Sequence, residues 1–347
     1  MVPAMIEAAD SMLDKWKKEE GKEIEVFEEF RLLTSEIISR AAFGSSYVEG
    51  KTIFDMLMKF GGIVHMSALK TRIPIIGKFM PNREDIESVK CENEIRRKIL
   101  EIIEEREEKV KKGVKDGYGN DYLALLLKAN QDPNVSKQIS IQDMIDDCKT
   151  FYFAGQDTTT TLLSWTCLLL ATHQDWQEKA RKEVFEVIGN NNPTPDDGTN
   201  PKLKTLTMII NETLRLYPPV LLVTRKAARE VRLGELTIPA NVELRISPTA
   251  IHHDPDLWGE DVHIFKPERF SEGVVKATNN NPSAYIPFGF GPRICVGFNF
   301  AYTEVKLVVA MILQRYHFTI SSAYVHSPAI HLSTRPQHGL QIIFNKL

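Results

Sequence analysis

The chain has 347 residues, 43% of them hydrophobic and 26% charged, with a formal net charge of −3. These are ordinary values for a globular protein with a large core in one unit or two, and the missing basic excess excludes a nucleic-acid surface as the main function. The four cysteines, Cys91, Cys148, Cys167 and Cys295, make no CxxC pair and no zinc-ligand spacing, so a disulfide framework is excluded and a reducing compartment fits.

The first two thirds reads as helix. Met5 to Glu19 is amphipathic, and Phe27 to Phe43 places Phe30, Leu33, Ile37, Ile38 and Ala41 at helical spacing. Phe54 to Leu69 is a third helix, followed by a breaker segment from Ile73-Pro74 to Pro81. Arg83 to Lys112 is a long charged helix with a solvated face and an apolar line at Ile86, Val89, Ile95, Ile99, Ile102 and Ile103. Ser140 to Thr172 reads as one helix, N-capped by Ser140 and largely apolar from Phe153 to Leu163, hence buried. Its best apolar run, Leu162 to Thr172, falls short of the roughly 20 residues that a membrane span needs. His173 to Ile188 is a surface helix, Gly189 to Pro201 a loop, and Leu203 to Tyr217 a helix stopped by Pro218-Pro219. Beyond it, strand-like runs appear at Glu230 to Leu236, Val242 to Ile246, Ile330 to Ser333 and Leu340 to Phe344, with one more helix at Asn299 to Tyr316. The expected fold class is mainly α with a small β part.

The strongest chemical pattern is Phe288-Gly289-Phe290-Gly291-Pro292-Arg293-Ile294-Cys295-Val296-Gly297, directly before a helix. A thiolate is a soft donor that, as an axial haem ligand, pushes electron density onto iron, and a helix N-terminus favours the anion. Glycines let the loop turn tightly and bring backbone N–H groups near the sulfur, and Arg293 suits a haem propionate. Every fixed position of FxxGxRxCxG is present, and the segment resembles the cysteine loop of cytochrome P-450 enzymes.

A second pattern, Ala154-Gly155-Gln156-Asp157-Thr158-Thr159, interrupts the long helix with a glycine and an acid. It resembles the family's oxygen-activation motif AGxDTT. Gly155 then leaves room for O2, Thr158 donates a hydrogen bond to the oxygen being activated, and Asp157 relays protons from solvent. A third, Glu212-Thr213-Leu214-Arg215, puts opposite charges on one helix face. With Arg269 of Phe265-Lys266-Pro267-Glu268-Arg269-Phe270 it is similar to the family's ExxR and PERF elements, which implies a structural Glu–Arg–Arg network holding the cysteine loop. Arg225 reads equally as a propionate partner or as a strand-flanking arginine, and His252 and His253 read as loop histidines with no chemistry. Ala154, Leu222 and Val223 are candidates to line a substrate space.

The tail Pro336-Gln337-His338-Gly339-Leu340-Gln341-Ile342-Ile343 and the stretch Ile38 to Ser46 look like a plant clan that includes secologanin-synthase-like enzymes, so the resemblance covers residues 1–347 as one P-450 catalytic domain. It implies haem b on the Cys295 thiolate, with Phe288, Gly289, Gly297, Arg293, Arg225 and Ala154 around it. It further implies O2, an apolar terpenoid, steroid-like, fatty-acid or hormone substrate, and electrons from NADPH-cytochrome P-450 reductase. For the full-length form the implied place is the cytosolic face of the endoplasmic reticulum membrane. Family members carry more chain before the position matching Met1, including a membrane anchor and early strands; the expectation is a P-450 fold lacking its N-terminal region. The alternative expectation is an inactive remnant without stable haem binding.

Overall fold

The computed structural model describes residues 1–44, 55–63, 83–114, 117–131, 138–331 and 333–347. The breaker segment at 73–81 and Ser45 and Ser46 lie outside them, as do Phe54 and residues 64–69 of the expected third helix, which is helical over 55–63. By internal contacts the chain divides into two units, one of residues 1–14 and 28–160, the other of residues 15–27 and 161–347.

The first unit is helical. It holds most of α1 (Val2–Trp16) and α2 (Val26–Phe43), then α3 (Arg83–Lys111), α4 (Tyr122–Asn130) and the first twenty residues of α5 (Ile141–Thr172). Periodicity decides which faces go inward. Met5, Ala9 and Met12 of α1, Phe30 and Ile37 of α2, Ile95, Ile99 and Ile103 of α3, and Met144, Ile145 and Cys148 of α5 are all buried. The expected apolar line of α3 is buried only in part, because Ile86 and Val89 in its first two turns are exposed. Its outer face is a ladder of solvated pairs, Arg97 to Glu94 and Glu101 and Lys98 to Glu101, which water screens so that they add little to stability. Arg106 is different. Largely buried, it donates to Asp121 Oδ1 at 2.7 Å, to the Tyr118 carbonyl at 2.9 Å and to the Phe43 carbonyl, while Asp121 caps α4 by accepting from Ala124 N–H. Ser140 caps α5 as expected, accepting from Asp143 N–H at 3.1 Å.

The second unit mixes helices with small antiparallel sheets. Its helices include the remainder of α5, α6 (Gln174–Val187), α7 (Lys204–Leu216), the short α8 (Pro248–His252) and α9 (Phe298–Arg315), with single turns at Pro255–Trp258 and Val274–Ala277. Three strands pair in the order β1 (Glu23–Glu25), β9 (Gln341–Lys346), β6 (Tyr316–Ile320), with Ile24 opposite Ile342 and Phe318 opposite Phe344. Gln177 closes the outer side of β6: its Nε2 donates to the Phe318 carbonyl at 2.8 Å and its Oε1 accepts from Phe318 N–H at 3.1 Å, so a side chain replaces a missing strand. Three two-stranded ribbons complete the β part: β2 (Val223–Lys226) with β5 (Glu243–Ile246), β3 (Val231–Leu233) with β4 (Leu236–Ile238), and β7 (Pro328–Ile330) with β8 (Thr334–Pro336). The expected single strand Glu230 to Leu236 is thus a hairpin, because Gly234 takes φ +59 and turns the chain. Val305 and Leu307 to Leu313 of α9, Leu163, Trp165 and Leu170 of α5, and Phe318 and Phe344 are buried in this unit. Among the described residues no helix is long and apolar enough to cross a membrane.

Candidate functional site

The cysteine loop joins an extended segment to α9. Pro287 keeps Ile286 extended, Gly289 and Gly291 adopt φ +76 and +75, and Cys295 N–H closes the turn on the Phe288 carbonyl at 2.8 Å. Any side chain at Gly289 is strained at that φ, and its Cβ would stand 3.6 Å from the Arg293 carbonyl. Gly297 has an ordinary φ of −84 as N-cap of α9; a Cβ there would stand 3.8 Å from Cys295 Sγ, in van der Waals contact with the sulfur. Phe288 packs edge-on against Phe298 at 4.9 Å and tilted against Tyr302 at 5.7 Å, and Tyr302 donates to Asn211 Oδ1, tying the loop and α9 to α7.

Cys295 is exposed, whereas Cys91, Cys148 and Cys167 are buried. Burial pushes the Cys148 thiol up to about 12 and raises that of Cys167, which keeps both protonated and unsuited as ligands. Around Cys295 the loop displays what a folded surface usually hides: Phe290, Ile294, Val296 and Phe298 are exposed, Val296 by 83%. Among the described residues no ion pair or hydrogen bond engages the Arg293 guanidinium, which is also exposed. A soft sulfur donor at a helix N-terminus, flanked by open apolar side chains and an uncommitted cation, fits a flat apolar metal complex with acidic edges.

Behind the loop, Glu212 and Arg215 have no solvent exposure and meet through two hydrogen bonds of 2.8 Å. Arg215 also donates to the carbonyls of His252 at 3.0 Å and Val262 at 2.7 Å. Arg269 comes within 3.5 Å of Glu212 Oε1, so the three expected side chains do converge. The closest bonds of Arg269, however, go to the Asp261 carbonyl at 2.5 Å, to Asp261 Oδ1 at 2.6 Å and to the Trp258 carbonyl at 3.0 Å, and Lys266 N–H fills the place on Glu212 at 3.0 Å. Lys266 and Arg269 hold the Asp261 carboxyl down to about 2. Arg225 is half-buried on β2 and donates to the Thr224 carbonyl at 2.9 Å, which leaves both of its readings open.

The Ala154–Thr159 stretch belongs to the first unit. Thr158 Oγ1 donates to the Ala154 carbonyl at 2.7 Å, and these two residues sit on the more open side of α5, while Gln156, Asp157, Thr159 and Thr160 are buried. Thr160 shares a 2.7 Å hydrogen bond with Thr34 of α2 and receives Gln156 Nε2 at 3.2 Å. Gly155 also has a packing role: a Cβ would come within 2.8 Å of Ile38 Cδ1, so glycine lets α2 approach α5. His252 departs from its reading as a loop histidine. It ends α8, is fully buried, and accepts Ile286 N–H at Nε2.

The family described as cytochrome P-450 matches residues 1–344. The chain is 52% identical over 348 residues to CYP749A22 of Panax ginseng, covering all of this chain and 66% of that one. It is 41% identical over 357 residues to the 7-deoxyloganic acid hydroxylase of Catharanthus roseus, covering all of this chain and 68% of the relative. Among solved structures, that of retinoic acid-bound cyanobacterial CYP120A1 superposes with a TM-score of 0.84 at 25% identity, over 99% of this chain and 74% of the other. The chain thus spans about two thirds of the length of its curated relatives. The family's cofactor is a haem with a cysteine thiolate as axial ligand, which is the group that the surroundings of Cys295 fit. This chain belongs to the cytochrome P-450 family.

Proposed function

We propose that the chain is the oxygen-activating part of a haem-thiolate monooxygenase that hydroxylates an apolar small molecule, with Cys295 as the iron ligand. The observation that carries this is an exposed Cys295 held by its own N–H on the Phe288 carbonyl, at the start of α9 and ringed by exposed apolar side chains. Haem, when bound, supplies activation of O2 and insertion of one oxygen atom into a C–H bond, at the cost of two electrons from a reductase.

The chain's own residues do the remaining work. Gly289 gives the turn its left-handed backbone, Gly297 adds no side chain beside the sulfur, and Phe288 packs on Phe298 to hold the loop against α9. Arg293 pairs with a propionate, and Arg225 is a second candidate for that role. Thr158 carries a hydroxyl proton on the open side of α5, where it now donates to Ala154. Asp157, beside it in sequence, passes protons inward. Ala154 contributes a small apolar surface. The Glu212–Arg215–Arg269 cluster holds the chain behind the cysteine loop and takes no part in the chemistry.

A hydroxylase acting on 7-deoxyloganic acid among the relatives supports a substrate of the terpenoid, steroid-like, fatty-acid or hormone kind in plant secondary metabolism. NADPH-cytochrome P-450 reductase is the proposed electron donor. The proposed location of the full-length form is the endoplasmic reticulum membrane, on its cytosolic face. The test is incubation of the haem-loaded chain with reductase, NADPH, a panel of terpenoid acids and isotopically labelled O2. One labelled oxygen per product is the expected result; products labelled only from water overturn the reading.

A further inference from the structure

The cysteine loop has a foundation that lies outside the FxxGxRxCxG pattern. Three hydrogen bonds run in series from it into the interior. Cys295 N–H donates to the Phe288 carbonyl at 2.8 Å, Gly289 N–H to the Ile286 carbonyl at 3.0 Å, and Ile286 N–H to His252 Nε2 at 2.9 Å. His252 is fully buried and its ring stacks on Tyr285 at 5.3 Å. Tyr285 in turn donates to the Asn211 carbonyl at 2.9 Å, and the His252 carbonyl receives Arg215.

We propose that His252 is a positioning residue for the thiolate, its Nε2 anchoring Ile286 and thereby the segment from which the Cys295 turn springs. Ile286 is buried and held extended by Pro287, yet it belongs to no strand, so no neighbouring backbone offers its N–H an acceptor. A side chain must accept instead. A carboxylate there would compete with Glu212 for Arg215, whereas a neutral imidazole accepts without adding charge. Burial above all, then the Arg215 charge, lowers the His252 ring to about 3, which leaves Nε2 an acceptor throughout the neutral range.

The meaning of this anchor for catalysis rests on the haem-thiolate reading, but its existence does not, and the test separates them. Amide hydrogen exchange is measured on the whole chain without haem, for wild type, His252→Phe and His252→Gln. Phenylalanine keeps the ring stack on Tyr285 and removes the acceptor; glutamine carries an amide oxygen to about the same place. Loop amides between Ile286 and Cys295 are expected to exchange about tenfold faster or more in His252→Phe and within about threefold of wild type in His252→Gln. With haem added, His252→Phe is expected to lose a larger fraction of the thiolate-type ferrous carbon monoxide band than His252→Gln. Wild-type exchange in a folded His252→Phe overturns the proposal, and so does equal acceleration in both variants, which makes ring shape the cause. Should His252→Phe not fold, His252→Gln decides alone: wild-type protection supports the anchor, and a tenfold loss overturns it. A wild-type chain that takes up no haem sinks the functional reading and leaves the exchange result standing.

Discussion

Arg215→Met tests how the interior of the second unit holds the loop. Arg215 and Glu212 are both without solvent exposure, and the guanidinium satisfies both Glu212 oxygens at 2.8 Å and the carbonyls of His252 and Val262. Methionine fills much of the same volume and donates nothing, so a carboxylate and two carbonyls lose their partner in the interior. Removing one member of a buried pair costs about 3–5 kcal/mol. Lys266 N–H at 3.0 Å and Arg269 at 3.5 Å still face Glu212, which places the expected loss near the lower end, about 3 kcal/mol. That is a large part of the roughly 5–15 kcal/mol that holds a typical domain together. Urea unfolding followed by tryptophan fluorescence is well suited to the measurement, because Trp16, Trp165, Trp176 and Trp258 all belong to the second unit. Adding Glu212→Gln removes the stranded charge and is expected to recover about 1 kcal/mol or more. A loss below about 1 kcal/mol for Arg215→Met, or a double variant no more stable than the single one, refutes the reasoning.

Three further outcomes follow from the geometry. Under native conditions a thiol reagent modifies Cys295 alone, and Cys91, Cys148 and Cys167 react only on unfolding; mass spectrometry of the native protein showing a second label contradicts the assigned burial. Gly155→Ala brings a Cβ within 2.8 Å of Ile38 Cδ1, the movable end of that side chain, so crowding offsets much of the helix gain of about 1 kcal/mol; in an Ile38→Val background, which lacks Cδ1, the same substitution stabilises more by circular dichroism, and an equal effect in both backgrounds contradicts the contact. His252 binds its proton far less readily folded than unfolded, so between pH 6.5 and about 3 the unfolded chain holds more protons and stability falls as the pH falls. From pH 7 to 5 the His252 contribution to that loss is about 2 kcal/mol, visible as the difference in urea midpoints between wild type and His252→Gln; parallel pH profiles for the two contradict it.

Long-period features were legible in the sequence because they depend on local pattern. Helices α2, α3, α5, α6 and α7 begin and end within about two residues of where spacing and caps place them. The cysteine loop was legible for a similar reason, its turn chemistry lying within ten residues. Strands were harder. Glu23–Glu25 is three residues long and finds its partner at Gln341–Ile343, so nothing local marks it. Tyr316–Ile320 follows α9 without a break, and its apolar residues continue the helical texture. Helix α4 is short and depends on the Asp121 cap and the buried Arg106 pair. The site residues that escaped the sequence share one property: their roles depend on partners far along the chain. His252 reads as a loop histidine until Ile286 is placed beside it, and the contact that Gly155 makes room for lies on Ile38, more than a hundred residues away.

The central claim is that the Cys295 sulfur, as thiolate, is the iron ligand. Its most direct test is the ferrous carbon monoxide difference spectrum of the haem-titrated chain beside that of Cys295→Ala. The account predicts a band at about 450 nm in the first and none in the second; the same band in both, or in neither, contradicts it.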